Sequence, residues 1–199
     1  MPRLKQVARE QTMSETRQGL LQAAMIEFAR EGYANANIND ISVSAGFAKG
    51  TIYNYFPSKA ELMLALIRET GAFHLEFIRE YIHLEQDPCL RLERFYEAGF
   101  KFVELYPTQA QFLITTLYGA NLQFKQAMYT AYLPMFQLVA ADILNPGMLR
   151  GVFQPMDAVR IAGLIMSIYL GTSSNVDEDG KVWLDAPEVS SFVLRAIQR

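Results

Sequence analysis

Residues 48–59 read AKGTIYNYFPSK. Three aromatic residues, two lysines, a threonine and an asparagine share these twelve positions, and the segment stops at Pro57. A buried helix excludes lysine and a solvated one avoids aromatics, so mixing them points to a surface built for contact. Just upstream, Asn37-Ile-Asn-Asp40 is a helix start: the Asn oxygen can accept a backbone N–H, and Asp40 lies in the positive first turn. That start predicts a short helix from Asn39 to about Ala45, ended by Gly46, and a second over Lys49–Phe56. Ser58, with Glu61 three residues on, opens another helix by the capping-box rule. Two short helices joined by a glycine turn make a helix-turn-helix, whose second helix enters a DNA major groove. Ile52 and Phe56 then face inward with Ile41 and Phe28, while Thr51, Tyr53, Asn54 and Tyr55 face outward. Hydroxyls and lysines suit phosphate and sugar contacts. Asn54 could pair with adenine, or Lys49 with guanine. Gly50 allows close backbone approach, and Lys59 can meet a phosphate at a helix N-terminus. By composition alone the stretch fits a short buried aromatic helix equally well; the start and stop signals around it favour the first reading.

Outward from this point the periodicity is helical throughout. A first helix is predicted from Ser14 to Glu31, with Leu20, Leu21, Ala24, Met25 and Phe28 on one face and Gly32 as its stop. Residues 1–13 are expected to form a polar, flexible arm. Beyond residue 60, helices are expected to about Tyr81, from Pro88 to Tyr106, from Pro107 to Tyr118, from Leu122 to Leu144 with a kink or break at Pro134, from Asp157 to Thr172 and from Pro187 to Ile197. Asn145–Pro155 and Ser173–Ala186 read as loops. The expected fold class is all-α, with no strand needed.

The 199 residues are 51% hydrophobic with a net charge of −3, enough for one good core or two small ones. Residues 1–60 hold seven Lys/Arg against five acids, so a mildly basic end sits on an acidic body. The single Cys89 excludes an intrachain disulfide framework and suits a reducing cytoplasm. The N-terminus shows charges but no apolar leader core, and the longest apolar run, Ile161–Leu170, is about half a membrane span. A cytoplasmic chain with no membrane partner is expected.

The segments TRQGLLQAAMIEFAREGY and NINDISVSAGFAKGTIYNYFPSKAEL, in this order and spacing, resemble the DNA-binding domain of the tetracycline-repressor (TetR) family of bacterial regulators. The resemblance covers residues 14–64. It implies a homodimeric, all-helical transcriptional regulator, most often a repressor, released from a palindromic operator by a small effector. The implied domains are a helix-turn-helix DNA-binding domain over 14–60 and a helical ligand-binding and dimerisation domain over 61–199. The matching positions make Lys49, Gly50, Thr51, Tyr53, Asn54, Tyr55 and Lys59 the expected DNA contacts. Asn37 and Ile38 fall where members place the cap and backbone-contacting end of the second helix, and Arg17 matches a frequent basic residue of the first. Ala48 departs from the family, which often has Ser or Thr there to cap the recognition helix.

The C-terminal body carries an aromatic set that is either ordinary core or the wall of an effector site. Phe73, Phe77, Phe95, Phe102 and Phe112, with Tyr118, Tyr132, Phe136 and Tyr169, fall on helices that enclose the pocket in the resembling family, which suggests a mostly apolar or aromatic effector. His74 and His83 are isolated and read as core or surface histidines. Ile161, Leu164, Ile165 and Ile168, and Val189, Phe192, Val193 and Ile197, form two stripes expected to pair across a homodimer. Asn175–Gly180 imitates the opening of a calcium loop, but Ala186 replaces the required bidentate Glu, so no metal or cofactor is expected. No nucleophile elbow, phosphate loop or dinucleotide fingerprint occurs, so an enzyme is not expected.

Overall fold

A computed structural model describes residues 2–199. Helix α1 runs Pro2–Asn35, α2 Ile38–Ser44, α3 Lys59–Ile82, α4 Pro88–Leu105 and α5 Pro107–Tyr118. Then come α6 (Leu122–Leu138), α7 (Asn145–Leu149), α8 (Ala158–Ser173) and α9 (Ala186–Ile197). Among the described residues there is no strand, only the isolated bridges Phe153–Gln198 and Val176–Val182. The all-α expectation holds.

Side-chain caps place most of these starts, as local sequence can. Asn37 accepts from Asn39 N, Ser58 from Glu61 N, Asp87 from Cys89 N and Leu90 N, and Asn121 from Phe124 N. Asp157 caps α8, and Asp185 with Glu188 completes a reciprocal box on α9. Gly32 sits at φ 71°, breaking the helical path of α1 where a stop was expected.

Three expectations shift. The first helix extends back to Pro2 instead of starting at Ser14, with Gln6, Val7 and residues 9–15 exposed along it. Met1 lies outside the described residues. Pro134 does not break α6, which runs on to Leu138; the irregularity comes later, as a wider-turned segment over Val139–Leu144 that leads straight into α7. So the expected loop at 145–155 begins as helix. The cause is Pro146, which has no N–H for the carbonyl of Asp142 four residues back. Arg91 supplies it instead, donating from Nη1 to Asp142 O at 2.8 Å while its other nitrogens hold Glu85 O.

The core is continuous from the N-terminal head to the body. Leu20, Ala24, Phe28, Ile41, Ile52 and Leu62 close the head around α3, and α3 then lies along α6 and α4. α9 lays Val189, Val193 and Ile197 inward as it packs on α4. α1 rests on α5, and Tyr33 meets Phe124 at the start of α6 edge-on, 4.5 Å between centroids. The run Leu122–Leu149 is long and apolar enough to cross a membrane by length and composition alone; in this fold it packs against α3 and walls a cavity.

Candidate nucleic-acid interface and effector cavity

The recognition element is shorter than expected. In place of a helix over Lys49–Phe56, one 3₁₀ turn spans Thr51–Asn54. Gly50 precedes it at φ 85°, a left-handed conformation outside any right-handed helix, and Pro57 disfavours helical backbone at Phe56. Only a single turn fits between them. Ala48 offers no cap, but its carbonyl is used twice, by Ser42 Oγ at 2.7 Å and Thr51 N at 3.0 Å. Those bonds tie the turn to α2, and Ile52 and Phe56 bury its inner side as expected.

The outer side divides the candidate contacts. Lys49, Tyr53 and Asn54 are exposed together, with Tyr53 about half accessible at 48%. Thr51, Gly50 and Tyr55 are half-buried, and Tyr55 leans on the core. Asn37 is exposed, its side chain engaged as the cap of α2. Ile38 is buried, so only its backbone faces outward. Arg17 stacks over Phe56 at 5.3 Å and pairs with Glu69 on α3 at 2.5 Å, which makes it a strut between head and body. Lys59 donates to Ala34 O at 3.2 Å and lies over the Tyr33 ring at 4.9 Å. Partial burial lowers its pKa, opposed by Glu27.

The second feature is a cavity of about 350 Å³ between α3, α4, α5, α6 and α8. Phe102, Tyr118, Tyr132, Phe136 and Tyr169 line it as expected. Phe73, Phe77, Phe95 and Phe112 do not: Phe95 and Phe112 are buried in the packing behind the wall, while Phe73 and Phe77 face Phe102 and Tyr106 outside it. Leu113, Leu117, Met128, Leu164, Met166 and Leu170 supply aliphatic and thioether wall instead.

Sequence reasoning missed His74. Its ring stacks on Phe102 at 4.0 Å and bridges two tyrosines, Nδ1 to Tyr132 Oη at 2.8 Å and Nε2 to Tyr169 Oη at 2.9 Å. Burial drives its pKa down to about 3, so the ring is neutral. Burial also pushes both tyrosine hydroxyls up. Tyr169 Oη also lies 3.4 Å from Gly99 O, and the neutral ring donates through one nitrogen and accepts through the other. The signal available beforehand was three polar-tipped rings on otherwise apolar inward stripes.

Of the expected dimer stripes, Ile165, Val189, Val193 and Ile197 are covered by their own chain. Leu164 and Phe192 are exposed, at 60% and 64%, and Ile161 and Ile168 are half-buried. Of each stripe, then, only Leu164 and Phe192 stand clear of their own chain. At 175–180 the carboxylate of Asp177 accepts from Asp179 N and Lys181 N and so closes a turn. Cys89 is half-buried, accepts from Gln198 Nε2 at 3.2 Å, and is pushed up in pKa by burial.

Residues 20–66, the head just described, match the family model of bacterial regulatory proteins of the tetR family. The head is therefore similar to the DNA-binding domain of that family. Over 106 residues it is 31% identical to the probable acrEF/envCD operon repressor of Escherichia coli K12, across 52% of this chain and 47% of that protein. The chain thus spans about half the length of that curated relative. It is 26% identical over 146 residues to the transcriptional repressor KstR2 of Mycobacterium tuberculosis, covering 68% of each. The crystal structure of the regulator FadR from Bacillus subtilis with stearoyl-CoA shares the fold, with a TM-score of 0.76 at 23% identity over 89% of this chain and 95% of that one. A Saccharomonospora viridis regulator solved with choline superposes with a TM-score of 0.74 at 24% identity, over 94% and 100%.

Proposed function

We propose that this protein is a cytoplasmic, homodimeric transcriptional repressor that leaves a palindromic DNA operator when a small, mostly apolar effector fills the α3–α8 cavity. The observation that carries the reading is that one helix serves both sites. α3 begins at Lys59, against the head, and reaches His74, in the cavity wall, fifteen residues later. At 1.5 Å per residue the two lie roughly 22 Å apart along one rod. A shift at the cavity end tilts the head end. α1 also rests on α5, a second cavity wall, so head and cavity share two contacts. The effector acts only through its differential affinity for the two head placements.

On DNA, Lys49, Tyr53 and Asn54 make the outward contacts, Asn37 and Ile38 present backbone at the start of α2, and Thr51, Gly50 and Tyr55 set the turn. Arg17 and Lys59 brace the head from within, although Lys59 is also close enough to the surface to reach a phosphate. FadR and the S. viridis regulator were solved with ligands as different as stearoyl-CoA and choline, so the fold itself selects no chemistry. The cavity volume falls at the lower end of the range for small-molecule sites.

The test is binding to DNA taken from the gene's own upstream region, measured against salt. A regulator of this type gives a steep linear fall of log affinity with log salt. Lys49→Ala should reduce that slope by about 1, the loss of one phosphate contact. Absence of any salt-dependent duplex binding sinks the reading.

A further inference from the structure

Of the hydroxyls that line the cavity, those of Tyr118 and Tyr129 sit on exposed residues, and all the others but one are engaged within the chain. Tyr132 and Tyr169 each share a hydrogen bond with His74, Ser167 donates to Gly163 O and Ser174 donates to Leu170 O. Ser173 is different. It lines the same cavity, is only 4% exposed, and its Oγ makes no hydrogen bond of ordinary geometry, the Tyr169 hydroxyl being its polar neighbour. A buried hydroxyl left unpaired costs stability, so its retention at the cavity wall marks a position where a ligand completes it.

The charges at the cavity sharpen the choice of ligand. No carboxylate lines it. Its one cation, Arg160, lies at the rim with the side chain 87% exposed and Nε 3.4 Å from Asp157. An ionic group carried to the depth of Ser173 finds no counter-charge there, only a neutral imidazole and two neutral phenols.

We propose, resting on the cavity being the effector site, that it takes an uncharged, mainly apolar molecule bearing a ketone or ester carbonyl, and that the Ser173 hydroxyl donates to that oxygen. The body of the molecule lies against Leu117, Met128, Phe136 and Met166. The carbonyl supplies the well-placed acceptor that Ser173 lacks, and a carboxylate on the same body is excluded from this end.

Two matched probe sets test this by calorimetric titration of the full-length protein: acetylnaphthalene, isopropylnaphthalene and naphthoate, and methyl heptyl ketone with its hydrocarbon isostere and octanoate. In at least one set the ketone should bind roughly three- to tenfold tighter than the hydrocarbon, the worth of one net hydrogen bond. The carboxylate should be weaker still. Ser173→Ala should erase the ketone preference while leaving hydrocarbon affinity in place, which also shows that the variant is folded. Equal affinity for ketone and hydrocarbon overturns the proposal. So does tight carboxylate binding that survives Ser173→Ala and falls with Arg160→Ala. If no probe of either set binds at millimolar concentration, the proposal also falls; duplex binding by the same preparation then shows that the regulator reading stands without it.

Discussion

His74 is held neutral by its surroundings, and that has a measurable cost in acid. The ring is enclosed by Tyr132 from α6, Tyr169 from α8 and Phe102 from α4, none of which can stabilise an imidazolium as a carboxylate would. Its folded pKa of about 3 lies below the unfolded value near 6.5, so the unfolded chain binds the proton first. The stability contributed is present above about pH 6.5 and is lost as pH falls toward 3, at roughly 1.4 kcal/mol per unit. Urea unfolding at pH 7 and pH 5 should therefore differ by about 2 kcal/mol more in the native chain than in His74→Asn. An identical pH dependence in the two proteins would show that the ring is not held neutral. This residue was also the hardest to read from sequence. A lone histidine on an apolar stripe acquires meaning only when tyrosines 58 and 95 positions away arrive at its two nitrogens.

At the scale of elements, what local chemistry determines was legible and what packing determines was not. Asn37, Ser58 and Asp157 cap the helices they were expected to start, because a cap needs only its next few residues. The recognition turn was overestimated because Gly50 is compatible with a helix in sequence and adopts a left-handed backbone in the fold. Gly50→Ala should cost about 1–2 kcal/mol, the penalty of that conformation for an L-residue. Duplex affinity should fall with it, as a melting curve and a gel-shift titration would register. The aromatic set was read one helix face too broadly: Phe95 and Phe102 share α4, yet only Phe102 reaches the cavity. Gly99, between them in sequence, shows why the wall is so close. A Cβ there would land on the Tyr169 ring, and Tyr169 is bonded to His74. Gly99→Ala should lower unfolding free energy by about 1–3 kcal/mol, as overpacking does. It should also disturb ligand binding more than duplex binding, since the head is remote from α4.

At the scale of the molecule, the proposed dimer raises the matter of how two heads are spaced. A two-fold dimer must set its recognition turns about one helical repeat apart, roughly 34 Å, to meet successive major grooves. On the two stripes expected to pair, the exposed side chains are Leu164 and Phe192, since Ile165, Val189, Val193 and Ile197 are already covered at home. Phe192→Glu should therefore yield monomers in sedimentation velocity at micromolar concentration and lose cooperative operator binding, with the fold unchanged by circular dichroism. A stable dimer in that variant would place the interface elsewhere.

α8 has two duties that meet in one residue. Leu164 lines the cavity proposed for the effector and is also exposed, at 60%. In the proposed dimer, self-association and occupancy are reciprocally linked: whatever factor the effector changes in the subunit dissociation constant, pairing must change in effector affinity. Titrations at different protein concentrations would thus trace different apparent affinities, and the cell's copy number of this protein would itself tune how much effector is needed to switch it.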